Sequence, residues 1–286
     1  MRRGPTVAVW RAGALFMQPA VSHITLLHFF DLTTPLILTF TAVLIRVAFM
    51  FLFLPVWGEM MTPAKVQILA IVAIAMALTP VVRIDFNAYP ASLGQMIYAI
   101  AVEAALGFSV AFLVRLVFAA VQIAGQMAGE QIGFAIANVL SPDQSSQITV
   151  VAQIKYAFAL LLFFTLNFHL VVFRAMAESF EIAPAFHVQM GANVFALTDA
   201  MATAMFSMSV KMAAPILATM LFVNVALGLI NKASPQVNVF LESFPIRIIL
   251  GLFIFSMVVR ALSRLLSGYY VQLDHALQAM LQAWRA

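Results

Sequence analysis

From Leu93 to Leu140 the chain stays mostly apolar for 48 residues without a proline, and its only charges there are Glu103, Arg115 and Glu130. A straight helix of that length would run to roughly 70 Å, more than twice the hydrocarbon thickness of a bilayer. Such a segment has to bend, break or leave the membrane. Five other runs approach the length of a span: Pro35–Trp57, Val66–Val82, Val150–Met176, Ala200–Ile230 and Ile246–Val259. All six are continuous rather than alternating, which predicts helices and not a membrane barrel. The residues from Arg260 to Ala286 carry Leu262, Leu265, Leu266, Tyr269 and Tyr270 at helical spacing, an amphipathic tail.

Composition agrees. Hydrophobic residues make up 64% of the 286, charged residues 9%, and the mean hydropathy is +1.03. A soluble domain has about 45–50% and about 25%. So much apolar surface cannot be hidden inside a soluble globule of this size, and disordered chains lack it altogether. The net charge of +4 comes from Lys and Arg scattered singly, apart from Arg2-Arg3, so no phosphate-binding surface is formed and nucleic acid is excluded as the partner. There is no cysteine, hence no disulfide framework, thiolate metal site or cysteine nucleophile.

Enzyme signatures are missing: no phosphate-binding loop, no GxSxG elbow, no HExxH. His23, His28, His169, His187 and His275 are widely separated, and only His169 lies inside a run. The chain reads as a non-enzyme without metal or cofactor. Besides Arg174 and Arg247 near run ends, six charges stand deeper within the apolar runs: Arg46, Glu103, Arg115, Glu130, Lys155 and Lys211. Facing lipid, each costs about 2.5–3.5 kcal/mol on insertion scales, so they should face protein or water. A proton or ion relay and static ion pairs both fit, with Glu103 paired to Lys155 or Lys211 as one option. Gly125, Gly129 and Gly133 recur at every fourth residue and Ala137 continues the series. That groove suits close packing within the chain, contact with other subunits, or a bend in the long third run. Met201, Met205, Met208 and Met212 share one helix face and read as core filling.

The polar linkers are residues 141–147, 178–199 and 231–245, the last with Asn231, Lys232, Pro235, Asn238, Glu242 and Pro245. Residues 1–28 form a broken, arginine-bearing extension, or sequence upstream of a start at Met17. Arginines at both ends favour both termini inside by the positive-inside rule.

Several ordered stretches resemble the FliR/SctT family of the type III secretion export gate. They are Glu103-Ala-Ala-Leu-Gly-Phe through Ala119-Ala-Val-Gln-Ile-Ala-Gly125, Gly129-Glu-Gln-Ile-Gly133-Phe, Ser141-Pro142, Asn224-Val-Ala-Leu-Gly-Leu-Ile-Asn-Lys-Ala-Ser-Pro235-Gln-Val-Asn238-Val-Phe and Phe244-Pro245. The likeness covers roughly residues 29–265. It implies an all-α membrane protein with a FliP-like helical region over 29–199 and a FliQ-like helical hairpin and tail over 200–286. It implies a single-copy subunit of the flagellar export gate in the bacterial inner membrane, assembled with FliP and FliQ, in contact with FlhB and FlhA, around a passage for unfolded polypeptide. By the same likeness the loop at about 133–146, with Gly133, Phe134, Ile136, Val139, Ser141 and Pro142, closes the channel. Residues 231–245 become a cytosol-facing turn, which puts the carboxyl end on the opposite side from the one the terminal arginines favour. The alternative is a secondary transporter for a small solute, using Glu103, Arg115 and Lys211.

Overall fold

The computed structural model describes residues 18–55, 63–82, 92–134, 148–186, 191, 193–233 and 239–285. These residues form helices and no strand. In chain order they are α1 (Gln18–Phe53), α2 (Ala64–Leu78), α3 (Leu93–Ile132), α4 (Val150–Thr165), α5 (Phe168–Ile182), α6 (Asn193–Ala233) and α7 (Val239–Ala283). The chain is an all-α membrane protein, as its apolar runs predict. Among the described residues, Thr33–Phe53 of α1, α3 and α6 are each long and apolar enough to cross a bilayer. The bent pairs α4–α5 and the two arms of α7 raise that number to five. At 15 residues α2 reaches only roughly 22 Å, too short to cross.

The long third run does not break at its glycines. Its helix starts at Ser92, whose Oγ accepts the Gln95 N–H at 3.3 Å. It then passes through Gly125 and Gly129 and stops at Gly133, where φ is +106°. Each internal glycine costs about 1 kcal/mol relative to alanine in an isolated helix. Here a neighbouring helix occupies the space that a side chain would take, and that packing outweighs the propensity. At 40 residues α3 is roughly 60 Å long.

Two other runs also depart from single straight spans. The run from Val150 to Met176 is split at Leu166-Asn167 into α4 and α5, whose axes differ by 66°. Asn167 takes φ +56°, the left-handed region that asparagine tolerates better than most side chains. The sixth run and the tail are one helix, α7, bent by 48° between its arms 243–259 and 261–283. The first arm packs beside α6. The second folds back on the core, burying Leu262, Leu266, Tyr270, Leu273, Leu277, Met280 and Trp284 at steps of three and four.

The axis of the core is α3, against which α1, α4, α6 and α7 all pack. Its inward residues include Leu106, Val110, Leu113, Val114, Phe118, Val121, Ala124, Ala128 and Ile132. Beside it, Phe118, Phe163, Phe168 and Tyr270 form an aromatic block. Phe168 stacks on Tyr270 at 4.8 Å between centroids, and the Tyr270 hydroxyl donates to the Ala159 carbonyl at 2.9 Å. The four methionines contribute as their spacing suggests: Met208 and Met212 are buried, and Met201 and Met205 are half-buried against the core. Trp284 is 1% exposed and its Nε1–H donates to Ser109 Oγ at 3.1 Å. We predict that Trp284→Ala costs about 3–5 kcal/mol. Ser109→Ala, which only orphans the indole N–H, should cost about 1–3 kcal/mol. Thermal unfolding of the detergent-solubilised chain checks the order; equal midpoints for parent and Trp284→Ala would contradict this anchoring.

Candidate functional site

Where α1 crosses α3, a charged network is closed off from solvent. Arg46 is 0% and Glu103 1% exposed. Arg46 Nε donates to Glu103 Oε2 at 2.6 Å, and Arg46 Nη1 donates to the Ser179 carbonyl at 2.8 Å and to Ser179 Oγ at 3.2 Å. The guanidinium carbon lies 4.2 Å from the Phe180 ring centroid. Glu103 Oε1 accepts the Phe186 N–H at 3.0 Å. Phe186 sits at φ +67°, unusual for an aromatic residue, so the carboxylate holds a strained turn after α5. Within this network Arg46 Nη2 is buried without a partner. At the same crossing Gly107 faces the backbone of α1, and a Cβ there would strike the Arg46 carbonyl oxygen. Helices in an apolar surround associate through such close backbone approach and buried polar contacts.

The glycine face of α3 meets α4. A Cβ at Gly125 would collide with the Cα of Ala152, and one at Gly129 with the Thr149 side chain. Thr149 caps α4, its Oγ1 accepting the Ala152 N–H at 3.3 Å, while its own N–H donates to Gln126 Oε1 at 3.0 Å. The groove is therefore occupied by the chain's own helix. The end of α3 is a Schellman cap. The Phe134 N–H donates to the Gly129 carbonyl at 3.1 Å and the Gly133 N–H to the Glu130 carbonyl at 3.1 Å. Around this end Ile132 is buried with Ile216 and Met220 of α6 and Phe255 of α7, and Phe134 packs on that cluster. Ile136, Ala137, Val139, Ser141 and Pro142 lie outside the described residues.

The remaining residues singled out from the sequence are dispersed. Glu103 pairs with Arg46 rather than with Lys155 or Lys211. Lys155 is buried between α3 and α6, its Nζ donating to the carbonyls of Ala124 and Met212 at 3.4 Å. Arg115, Glu130 and Lys211 are on the outer surface, where Glu130 accepts from Gln126 Nε2 at 2.9 Å. Glu103 and Arg115 are twelve residues apart on α3, roughly 18 Å, with one sealed and the other exposed. They do not form one solute-binding pocket. Asn231 and Lys232 are exposed at the end of α6, and Pro245 is exposed on α7. Pro235 and Asn238 lie outside the described residues, as does the side chain of Glu242.

Several residues that shape this site escaped the sequence reading. Gly107 had a signal, standing one turn after Glu103. Gly251 stands one turn after Arg247, and a Cβ on it would strike Ile132 and Met220. Ser179 and Phe186 had none, because their contacts with Arg46 and Glu103 are made across 133 and 83 residues. Trp284 extends the apolar spacing of the tail about four turns beyond Tyr270.

Residues 37–273 match the family described as bacterial export proteins, family 1. The chain belongs to that family. It is similar to the flagellar biosynthetic protein FliR of Escherichia coli K12, 27% identical over 209 residues, which is 73% of this chain and 79% of the relative. The FliR of Bacillus subtilis 168 is 32% identical over 219 residues, 73% and 81% of the two chains. That of Caulobacter vibrioides is 25% identical over 228 residues, 80% and 91%. In this bacterial export protein the matched region takes in the Arg46–Glu103 network, the glycine face and the α6–α7 hairpin. It ends at residue 273, so Trp284 lies beyond it.

Removing one partner of a buried pair strands the other charge and costs about 3–5 kcal/mol, whereas an apolar pair of similar volume is close to neutral. We predict that Arg46→Met and Glu103→Met each lower the unfolding midpoint strongly and that the double variant recovers much of the loss. Additive losses in the double variant would show that the two groups are not coupled.

Proposed function

We propose that this chain is a non-catalytic, single-copy subunit of the flagellar protein export gate, and that it helps form and close the channel through which unfolded flagellar proteins are exported. Its partners in this reading are FliP and FliQ within the gate and FlhB and FlhA beside it, in the bacterial inner membrane at the flagellar basal body. Membership in the bacterial export family and the names of the FliR relatives support the export role.

The observation that carries the gate reading is the end of α3. The central helix is held on several sides, and it stops at a left-handed glycine. A fixed strut thus leads directly into Phe134-Ala-Ile-Ala-Asn-Val-Leu, a mostly apolar stretch ahead of Ser141-Pro142. A ring of such side chains can exclude water from a narrow passage by dewetting, with no large charge movement. Glycine at the root gives the loop a pivot that a residue with a Cβ would resist.

Assembly is supported by the outer surface. On α6, Leu221, Phe222, Val225, Leu229 and Ile230 are exposed, as are Ile246, Ile249, Phe253 and Met257 on α7. Only 22% of the most apolar window of α6 is buried within the chain, against 56% for α3. Gly228 stands on this surface with nothing within 4 Å of where its Cβ would be. Apolar patches of this extent mark contact with lipid or with other proteins.

Two experiments test the proposal. Replacing Phe134, Ile136 and Val139 together by serine should make the assembled gate leak ions; unchanged conductance with normal assembly would remove this loop as the seal. Gly228→Leu should leave the chain folded, since it meets nothing within the molecule, yet abolish co-purification with FliP and FliQ. Recovery of the intact complex with that variant would count against the hairpin as an assembly surface.

A further inference from the structure

Lys155 differs from every other charge in the apolar runs. Its side chain is 0% exposed, and it stands on α4 three residues after Ala152, the residue packed on Gly125. Among the described residues no carboxylate lies within ion-pair distance of it. Glu103, the one acidic side chain buried in the core described here, is committed to Arg46 and to the Phe186 N–H. The ammonium meets only two carbonyl oxygens, of Ala124 on α3 and Met212 on α6, both at the long distance of 3.4 Å. Two long bonds to neutral acceptors return less than the desolvation of a buried cation takes away. A methionine of nearly the same length would fill the site without that cost.

What the ammonium does that methionine cannot is geometric. It has three donors and no acceptor, so it reaches carbonyls on two other helices and ties both to α4. The two carbonyls occupy telling positions. Ala124 lies about two and a half turns before Gly133, where α3 ends. Met212 lies three residues before Pro215, inside α6. Proline removes one N–H from the ladder and crowds the carbonyl four residues earlier, so α6 is weakened at this level. Lys155 therefore bridges α3 and the proline step of α6.

We infer that Lys155 is a positioning residue that fixes the height of α3, and with it the root of the loop at Gly133, against the Pro215 step of α6, at the expense of stability. This deepens the export-gate reading and rests on it for the consequence, but not for the geometry. The chain has no cysteine, so spin labels can be placed at Gln131→Cys and Ser207→Cys, both exposed and outside the apolar face assigned to assembly, in the full-length chain isolated with the subunits it assembles with. In Lys155→Met the unfolding midpoint should stay at or above the parent's, while the 131–207 distance distribution shifts or broadens. Lys155→Arg, which keeps donors at the site, should stay closer to the parent. Resting ion leak should rise about tenfold in Lys155→Met, the scale set by losing a hydrogen bond to a charged group. An unchanged distance distribution overturns the inference. So does a lowered midpoint, because Lys155 would then be an ordinary stabilising contact. A shifted distribution with unchanged leak supports the positioning role and instead removes the gate from the Gly133 loop.

Discussion

A guanidinium and a carboxylate, sealed from solvent where α1 crosses α3, join parts of the chain that lie 57 residues apart and, through Ser179, 133 apart. In an apolar surround the hydrophobic effect hardly distinguishes one apolar helix face from another, because lipid tails are as greasy as leucine. Register has to come from something more demanding. A buried charge accepts only a few arrangements, since every misplacement strands it in low dielectric. Arg46 and Glu103 therefore select the crossing point. Gly107 then lets the two backbones close on it, and Phe186 is drawn into a strained turn by the second carboxylate oxygen.

From that crossing the rest of the bundle is built outward along α3. Its first half meets α1 through leucine, valine and the charged pair. Its second half meets α4 through Gly125, against the Ala152 backbone, and Gly129, against the Thr149 side chain. The two modes answer different needs. Branched side chains fill volume, whereas glycine gives up helix propensity to gain contact area and closely matched backbone surfaces. The same residue type then ends the helix: Gly133 adopts the left-handed angle that a Schellman cap requires. One four-residue repeat thus serves packing at two positions and termination at the third.

The outside of the molecule is arranged in the opposite sense to a soluble protein. Three charged side chains, Arg46, Glu103 and Lys155, are inside, and Phe222, Leu69 and Ile249 are among the large apolar side chains most exposed. Such a surface is stable only when something apolar covers it. Lipid suits the spans, while the outward α6–α7 hairpin, with an open glycine on it, suits the helices of other subunits. The back-folded arm of α7 is the exception, because its apolar face is used up within the chain, down to Trp284.

The helical class, the membrane setting and the family were determined by the sequence alone. Apolar run length and the four-residue glycine repeat are local properties that need no folded partner to be read. The end of α3 at Gly133 does not belong to that group, since the apolar run carries on to Leu140 and Ala137 continues the repeat. Tertiary structure alone decided that α3 stays unbroken through Gly125 and Gly129, because only the arrival of Ala152 and Thr149 offsets the weakness of glycine. It also decided that Glu103 answers to Arg46, that Lys155 rests on two carbonyls, and that the last helix bends and returns to the core. Composition states that a charge in an apolar run must be satisfied. Which group satisfies it is settled by contacts between segments far apart in the chain, and no local pattern records those.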